Sequence, residues 1–185
     1  MFRDLYKTYR LSLKKINNAL IEEHFDDICS LYKNYEVMKY SGFGNLQSDA
    51  EVRELFHKYL NKENFFLWLL IKNDDNRYIG DISLNADLSH YYCSVGCFLL
   101  PEFWYQGFMT EAMIELLFSA FNEFGFHRIE AQIHENNINS IKFFEKFGFK
   151  FEGIVRENFY INGSFYNSRL YSMLFDEFFE KYISI

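Results

Sequence analysis

Two short stretches of the chain carry the residue types that group-transfer chemistry needs. The first reads Pro101-Glu102-Phe103-Trp104-Tyr105-Gln106-Gly107-Phe108-Met109-Thr110-Glu111-Ala112 and leads from an apolar run into a run of helical periodicity. A loop that enters a helix leaves several backbone N–H groups without intrahelical partners. Their partial positive charge, with the helix dipole behind it, suits a diphosphate. Gly107 lets the backbone come close to such a group, and Thr110 adds a hydroxyl donor. One glycine before a helix, taken alone, is more often the mark of an ordinary strand-to-helix turn.

The second stretch, Asn136-Asn137-Ile138-Asn139-Ser140-Ile141-Lys142-Phe143-Phe144-Glu145-Lys146-Phe147-Gly148-Phe149, follows a strand and opens a short helix. In the strand before it, 128–134, alternation puts Glu130, Gln132 and His134 on one face. Glu130 and His134 are the candidate proton acceptors there, with Glu157 more distant. The ordinary alternatives are a structural salt bridge for Glu130 and a solvated strand end for His134. Cys29, Cys93 and Cys97 form neither a metal-ligand spacing nor an even disulfide set. They read as buried free thiols of a reducing cytoplasm, and no metal site is expected.

The elements that must position these residues follow from periodicity. A first strand is expected at 10–16. From Ile21, apolar residues recur through Phe25, Ile28, Tyr32 and Tyr35 at helical spacing. A glycine-containing loop, Ser41-Gly42-Phe43-Gly44-Asn45, leads to a second helix, whose start is marked by Ser48 and Glu51 in the form of a capping box. The wholly apolar run 65–71 reads as a central strand buried on both faces. The turn at 73–76 makes a hairpin with 78–84, and a strand at 92–100 ends at Pro101 with Gly96 inside it. Met109, Ala112, Met113, Leu116, Leu117, Ala120, Phe121 and Phe124 define the longest helix, stopped at Gly125. A strand at 128–134, a helix at 140–147, a strand at 149–156, a turn at Asn162-Gly163 and a strand at 167–175 complete the order β-α-α-β-β-β-α-β-α-β-β. This is an α/β (α+β) chain with a mixed, mostly antiparallel sheet of about seven strands and about four helices.

Composition bounds the rest. A length of 185 residues, 49% hydrophobic, is read as one domain spanning 1–185. The excess of acidic residues gives a formal charge of −7, and the sequence has no Lys/Arg cluster of the kind that nucleic-acid binding requires. The longest apolar runs are too short to cross a bilayer. Residues 1–10 carry Arg3, Asp4, Lys7 and Arg10 and no apolar segment, so no signal peptide is expected. The 39 aromatic residues (23 Phe, 14 Tyr, 2 Trp) read first as a phenylalanine-rich core.

The two stretches, in this order, resemble the GCN5-related N-acetyltransferase (GNAT) superfamily. The likeness is to its branch of ribosomal-protein N-terminal acetyltransferases, RimJ/RimL-like. It is carried by Pro101-Glu102-Phe103-Trp104, Gly107-Phe108-Met109-Thr110-Glu111-Ala112, Asn137-x-x-Ser140 and Glu152-Gly153, and runs from about residue 11 to 175. The resemblance implies an acetyl-CoA-dependent enzyme, monomeric or homodimeric and cytoplasmic, that transfers acetyl to a primary amine. The protein N-terminal α-amine is the leading acceptor. A small amine (polyamine, amino sugar or antibiotic) and a non-catalytic CoA-binding domain are the alternatives.

By the same resemblance, Tyr105, Gln106, Gly107, Met109 and Thr110 meet the cosubstrate's diphosphate, and Asn137 and Phe144 flank its pantetheine and thioester. Backbone N–H groups around Cys97 to Leu99 polarise the carbonyl. Ser140 donates to the departing sulfur. The family's usual tyrosine acid is replaced by Phe144, which has no proton to give, and one family position for a base falls at Gln132. The branch usually has glycine where Tyr105 stands, and often aspartate where Asn167 stands. The acceptor is expected to meet the first two helices, the 41–45 loop and the 158–167 hairpin, with Tyr160, Phe165 and Tyr166 at the opening.

Overall fold

The computed structural model describes residues 2–42, 44 and 46–183. Phe43 and Asn45, which belong to the expected acceptor loop, lie outside them.

Eight strands form one sheet: β1 (Leu5–Lys7), β2 (Leu11–Lys15), β3 (Phe65–Lys72), β4 (Tyr78–Asp87), β5 (Tyr92–Leu99), β6 (Arg128–His134), β7 (Lys150–Ile161) and β8 (Ser164–Leu174). Their spatial order is β1-β2-β3-β4-β5-β6-β8-β7, with every pair antiparallel except β5 and β6. The fold class is the expected one, extended by the three-residue strand β1 at the edge. The central run β3 is buried from Leu67 to Ile71, as a strand covered on both faces must be.

The helical run expected from Ile21 to Tyr35 is three helices: α1 (Asn18–Glu23), α2 (Phe25–Tyr32) and α3 (Tyr35–Met38). The break falls at His24, whose φ of −114° and ψ of 18° lie outside the helical well. Asn17 and Asn34 supply side-chain caps to α1 and α3, so local hydrogen bonding competes with one continuous helix. Next, α4 (Asp49–Asn61) starts at Ser48, whose hydroxyl accepts the Glu51 N–H as expected. The remaining helices are α5 (Phe108–Asn122), α6 (Ile138–Phe147) and α7 (Phe175–Tyr182). The last, missed in the sequence, puts Phe178 in the core against Phe121 of α5.

Strand alternation sorts the helices onto two faces. Asp81 and Ile82 are neighbours on β4 and therefore point opposite ways. On the Asp81 face, α2 docks through Tyr32, whose hydroxyl donates to Asp81 Oδ2 at 3.0 Å, and α4 packs behind it through Phe56. On the other face lie Tyr6, which shares a 2.9 Å hydrogen bond with Ser119 of α5, and Trp68, edge-on to Tyr6. By register Cys97 is on the α5 face, while Phe98 is on the α2 face against Tyr32. Gly96 shows no bulge; a side chain there would meet Ser83 Oγ at 3.0 Å, so close approach explains it.

Candidate functional site

The site grows out of a flaw in the sheet. The parallel strands β5 and β6 pair only at Tyr92↔Arg128, Cys93↔Ile129 and Ser94↔Glu130, although β5 continues on β4 to Leu99 and β6 continues on β8 to His134. Beyond Ser94 the two strands part and leave a cleft. Which backbone groups face it follows from alternation. Leu100 gives its N–H to Ile79 O, on the β4 side, at 2.9 Å. The N–H groups of Cys97 and Leu99 therefore point the other way, into the cleft. The Leu99 carbonyl is taken by the Trp104 indole N–H at 2.7 Å, leaving its amide as the group on offer.

At the open end of β5, a short 3₁₀ turn, Pro101–Phe103, leads to Tyr105 and Gly107, both in the left-handed region with φ of 60° and 81°. Gly107 is the N-cap of α5 and offers no side-chain cap. The first intrahelical bond inside the loop runs from Glu111 N–H to Gly107 O at 3.0 Å, so the amides of Phe108, Met109 and Thr110 lie ahead of the helical ladder. The Tyr105 side chain is 86% exposed and Met109 is buried, so Met109 contributes its amide and not its side chain to this loop. Gln106 ties the loop to itself through Nε2 to Glu102 O at 2.6 Å. Here the sequence expectation of an amide-lined helix entry matches the local geometry.

Across the cleft, α6 is capped by Asn137, whose Oδ1 accepts the Ser140 N–H at 3.2 Å. The Asn137 side chain therefore serves the helix, while the half-buried Ser140 hydroxyl stands at its first turn. Phe144 is buried against Phe149 and Phe143, a core ring more than a cleft wall.

The two expected bases are both engaged. Glu130 sits where β5 and β6 are still paired, at the closed end of the cleft, and accepts Arg128 Nε at 2.8 Å. Arg128 also donates to Glu152 at 2.8 Å and to Ser172 Oγ at 2.9 Å, so Glu130 belongs to a structural ion-pair network. His134 is not a solvated strand end. It is 3% exposed, with its ring 5.0 Å from Tyr40 and 4.7 Å from Tyr166. Its Nδ1 lies 3.1 Å from the Asn136 N–H, which assigns the ring proton to Nε2. Burial lowers its pKa, only partly offset by Glu135, so the ring is neutral with its basic nitrogen already occupied. Gln132 is held by Asn158 Nδ2 at 3.2 Å. Cys29 and Cys93 are buried as expected, while Cys97 is only partly buried; desolvation still pushes its thiol up to about 12, which disfavours it as a nucleophile.

Glu130, Gln132 and His134 lie on the α2 face, opposite the side where α5 and α6 pack. Nearby, β7 bulges between Val155 and Phe159, and Asn167 of β8 lies between the residues paired on either side of the bulge. Its Oδ1 accepts the Glu157 N–H at 2.9 Å, while its Nδ2 and backbone N–H both donate to Glu135 at 3.1 Å. Tyr166 and Tyr40 wall the His134 side. The other two expected aromatics, Tyr160 and Phe165, pack on each other 4.9 Å apart at the exposed hairpin. Among the described residues, no group of three or more metal-ligating side chains comes together and no helix is long and apolar enough to cross a membrane.

Residues 14–150 match the family model described as an acetyltransferase (GNAT) domain. The chain is 27% identical over 174 residues to the uncharacterized N-acetyltransferase YoaA of Bacillus subtilis, covering 92% of this chain and 96% of that one. It is 32% identical over 101 residues to a putative ribosomal N-acetyltransferase, YdaF, of the same organism, covering 54% of this chain and 55% of that one. A crystal structure of Vibrio cholerae spermidine N-acetyltransferase with CoA and spermine superposes with a TM-score of 0.78 at 21% identity, over 92% of this chain and 99% of that one. The chain belongs to the GNAT acetyltransferase family and is an N-acetyltransferase.

Proposed function

We propose that this GNAT enzyme transfers the acetyl group of acetyl-CoA to the α-amine of a protein N-terminus, as the RimJ/RimL-like branch does. One observation carries the choice of acceptor: neither expected base on β6 is free to take a proton. An α-amine with a pKa of about 7.7–8.0 is about a fifth to a third unprotonated at pH 7.4, whereas an amine near 10.4 is about a thousandth. Only the first reaches the cleft ready to attack without a base. The sequence likeness to a putative ribosomal N-acetyltransferase supports the same branch.

Bound acetyl-CoA supplies the activated acetyl carbon. The loop amides of Gly107 to Thr110 hold its diphosphate, and the left-handed Gly107 leaves room for that approach. The Cys97 and Leu99 N–H groups donate to the acetyl oxygen as negative charge grows on it. The Ser140 hydroxyl donates to the sulfur, and holding the amine beside the acetyl carbon supplies much of the acceleration. The amine's surplus proton passes to water.

A panel of acceptors with detection of released thiol tests this reading. The panel holds free N-terminal peptides, the same peptides blocked at the N-terminus, spermidine, amino sugars and aminoglycosides. Turnover of the free peptides alone is expected. Turnover of small amines alone would replace the acceptor, and bound CoA with no thiol release would make the chain a non-catalytic binder.

A further inference from the structure

We infer that Arg10, brought from the β1–β2 turn to the start of α5, is a binding residue for the diphosphate of CoA. The inference rests on the reading of 105–110 as the diphosphate loop, and Arg10 lies outside the stretch matched by the family model.

The guanidinium is fixed from three sides. Nε donates to Glu111 Oε2 at 2.6 Å, Nη1 donates to the Gln106 carbonyl at 2.9 Å, and the Phe108 ring lies beneath with its centroid 4.2 Å from the guanidinium carbon. The Arg10 backbone N–H adds a bond to Glu111 Oε1 at 2.7 Å, and Thr8 Oγ1 donates to the same oxygen at 2.5 Å. An arginine has five N–H donors in a rigid fork, and these contacts use only two. Nη2 stands 3.4 Å from the point that a side-chain carbon on Gly107 would occupy. The unspent donors are therefore beside the residue that opens the amide nest.

Stability alone gives this arrangement little reason. Arg10 is about one-third exposed, and an ion pair at such a surface contributes little while ordering a long side chain. Ligand binding explains it better. Glu111, in the first turn of α5, would repel an anion at the helix entry, and Arg10 cancels that charge. With Glu111 satisfied, the remaining fork can meet two phosphate oxygens, which is the geometry arginine suits best.

The test is calorimetric titration of CoA into the full chain, its R10A and R10Q variants, and the R10A/E111Q double variant. R10Q keeps a donor for the Gln106 carbonyl and reads the same quantity should R10A not fold. Turnover of S-acetylpantetheine, which lacks the diphosphate, is measured alongside. Loss of a charge-assisted bond raises the CoA Kd of R10A, R10Q and the double variant about tenfold or more, with S-acetylpantetheine turnover within about twofold of the parent. An unchanged Kd in R10A or R10Q overturns the inference, as does recovery of affinity in R10A/E111Q, which would reduce Arg10 to a counter-charge for Glu111. A parent chain that binds no CoA fails the loop reading itself, whereas weakening by a Gly107 substitution with R10A unaffected fails only the role of Arg10.

Discussion

Replacing Asp81 by asparagine should stabilise the protein at alkaline pH and leave it unchanged or weaker in acid. Asp81 is 2% exposed, beneath α2, and its Oδ2 accepts the hydroxyls of Tyr32 at 3.0 Å and Tyr78 at 2.8 Å. Burial pushes the carboxyl up to about 7, although the two tyrosine bonds pull the other way. The folded protein therefore keeps a proton that the unfolded chain releases near pH 4. Its contribution is full below that value and is lost as pH rises through 7. The slope is about 1.4 kcal/mol per pH unit, or about 4 kcal/mol over the three-unit window. Asparagine carries no charge to bury, but it puts a buried amide donor where the carboxyl had an oxygen, at a cost of about 1–3 kcal/mol. The net expectation for D81N at pH 8 is a gain of about 1–3 kcal/mol, each kcal/mol raising Tm by about 2–4 °C. Urea unfolding of both proteins from pH 4 to 8 reads the difference directly. A difference that does not change with pH between 4 and 7, or a D81N protein less stable at pH 8, refutes the argument.

Ser140→Ala should lower kcat about tenfold while the KM for acetyl-CoA stays within about threefold, because in the proposed mechanism the lost hydroxyl donates to the leaving sulfur; an unaltered kcat removes Ser140 from the chemistry. His134→Gln should leave the acid limb of the kcat/KM profile in place, following the pKa of the acceptor amine, since His134 Nδ1 already receives the Asn136 N–H. Disappearance of that limb would make His134 the base after all. Asn167→Asp should cost about 1–3 kcal/mol at pH 7, because a donor to Glu135 becomes a second carboxylate. The pair would share a proton as pH falls, so the loss should fade in acid, and urea unfolding at pH 4 and 7 detects it.

Much of this site is legible along the chain because its key contacts are local. Gly107 before a helical period, and Asn137 three residues ahead of Ser140, announce themselves by spacing, and the structure puts both at helix entries. The cleft between them is not local. It arises where β5 keeps its partner β4 while losing β6, and no periodicity in either strand marks the residue at which pairing stops. The engagement of Glu130 is non-local as well: Arg128 is near it in sequence, but Glu152 and Ser172 complete their network from elsewhere. β1 is too short for three residues of alternation to register. The helical spacing of α7 at Phe175, Phe178, Phe179 and Tyr182 runs directly on from β8 with no breaker to announce it. Asp81 did leave a signal, an acidic residue within the apolar stretch of β4, which a buried strand accepts only with partners such as Tyr32 and Tyr78.

The most direct measurement is a crystal structure of the protein grown with CoA. The diphosphate oxygens should lie about 2.7–3.2 Å from the amides between Gly107 and Thr110, with the thiol end between the Cys97–Leu99 edge and Ser140. A diphosphate bound anywhere else, with that loop untouched, would contradict the account.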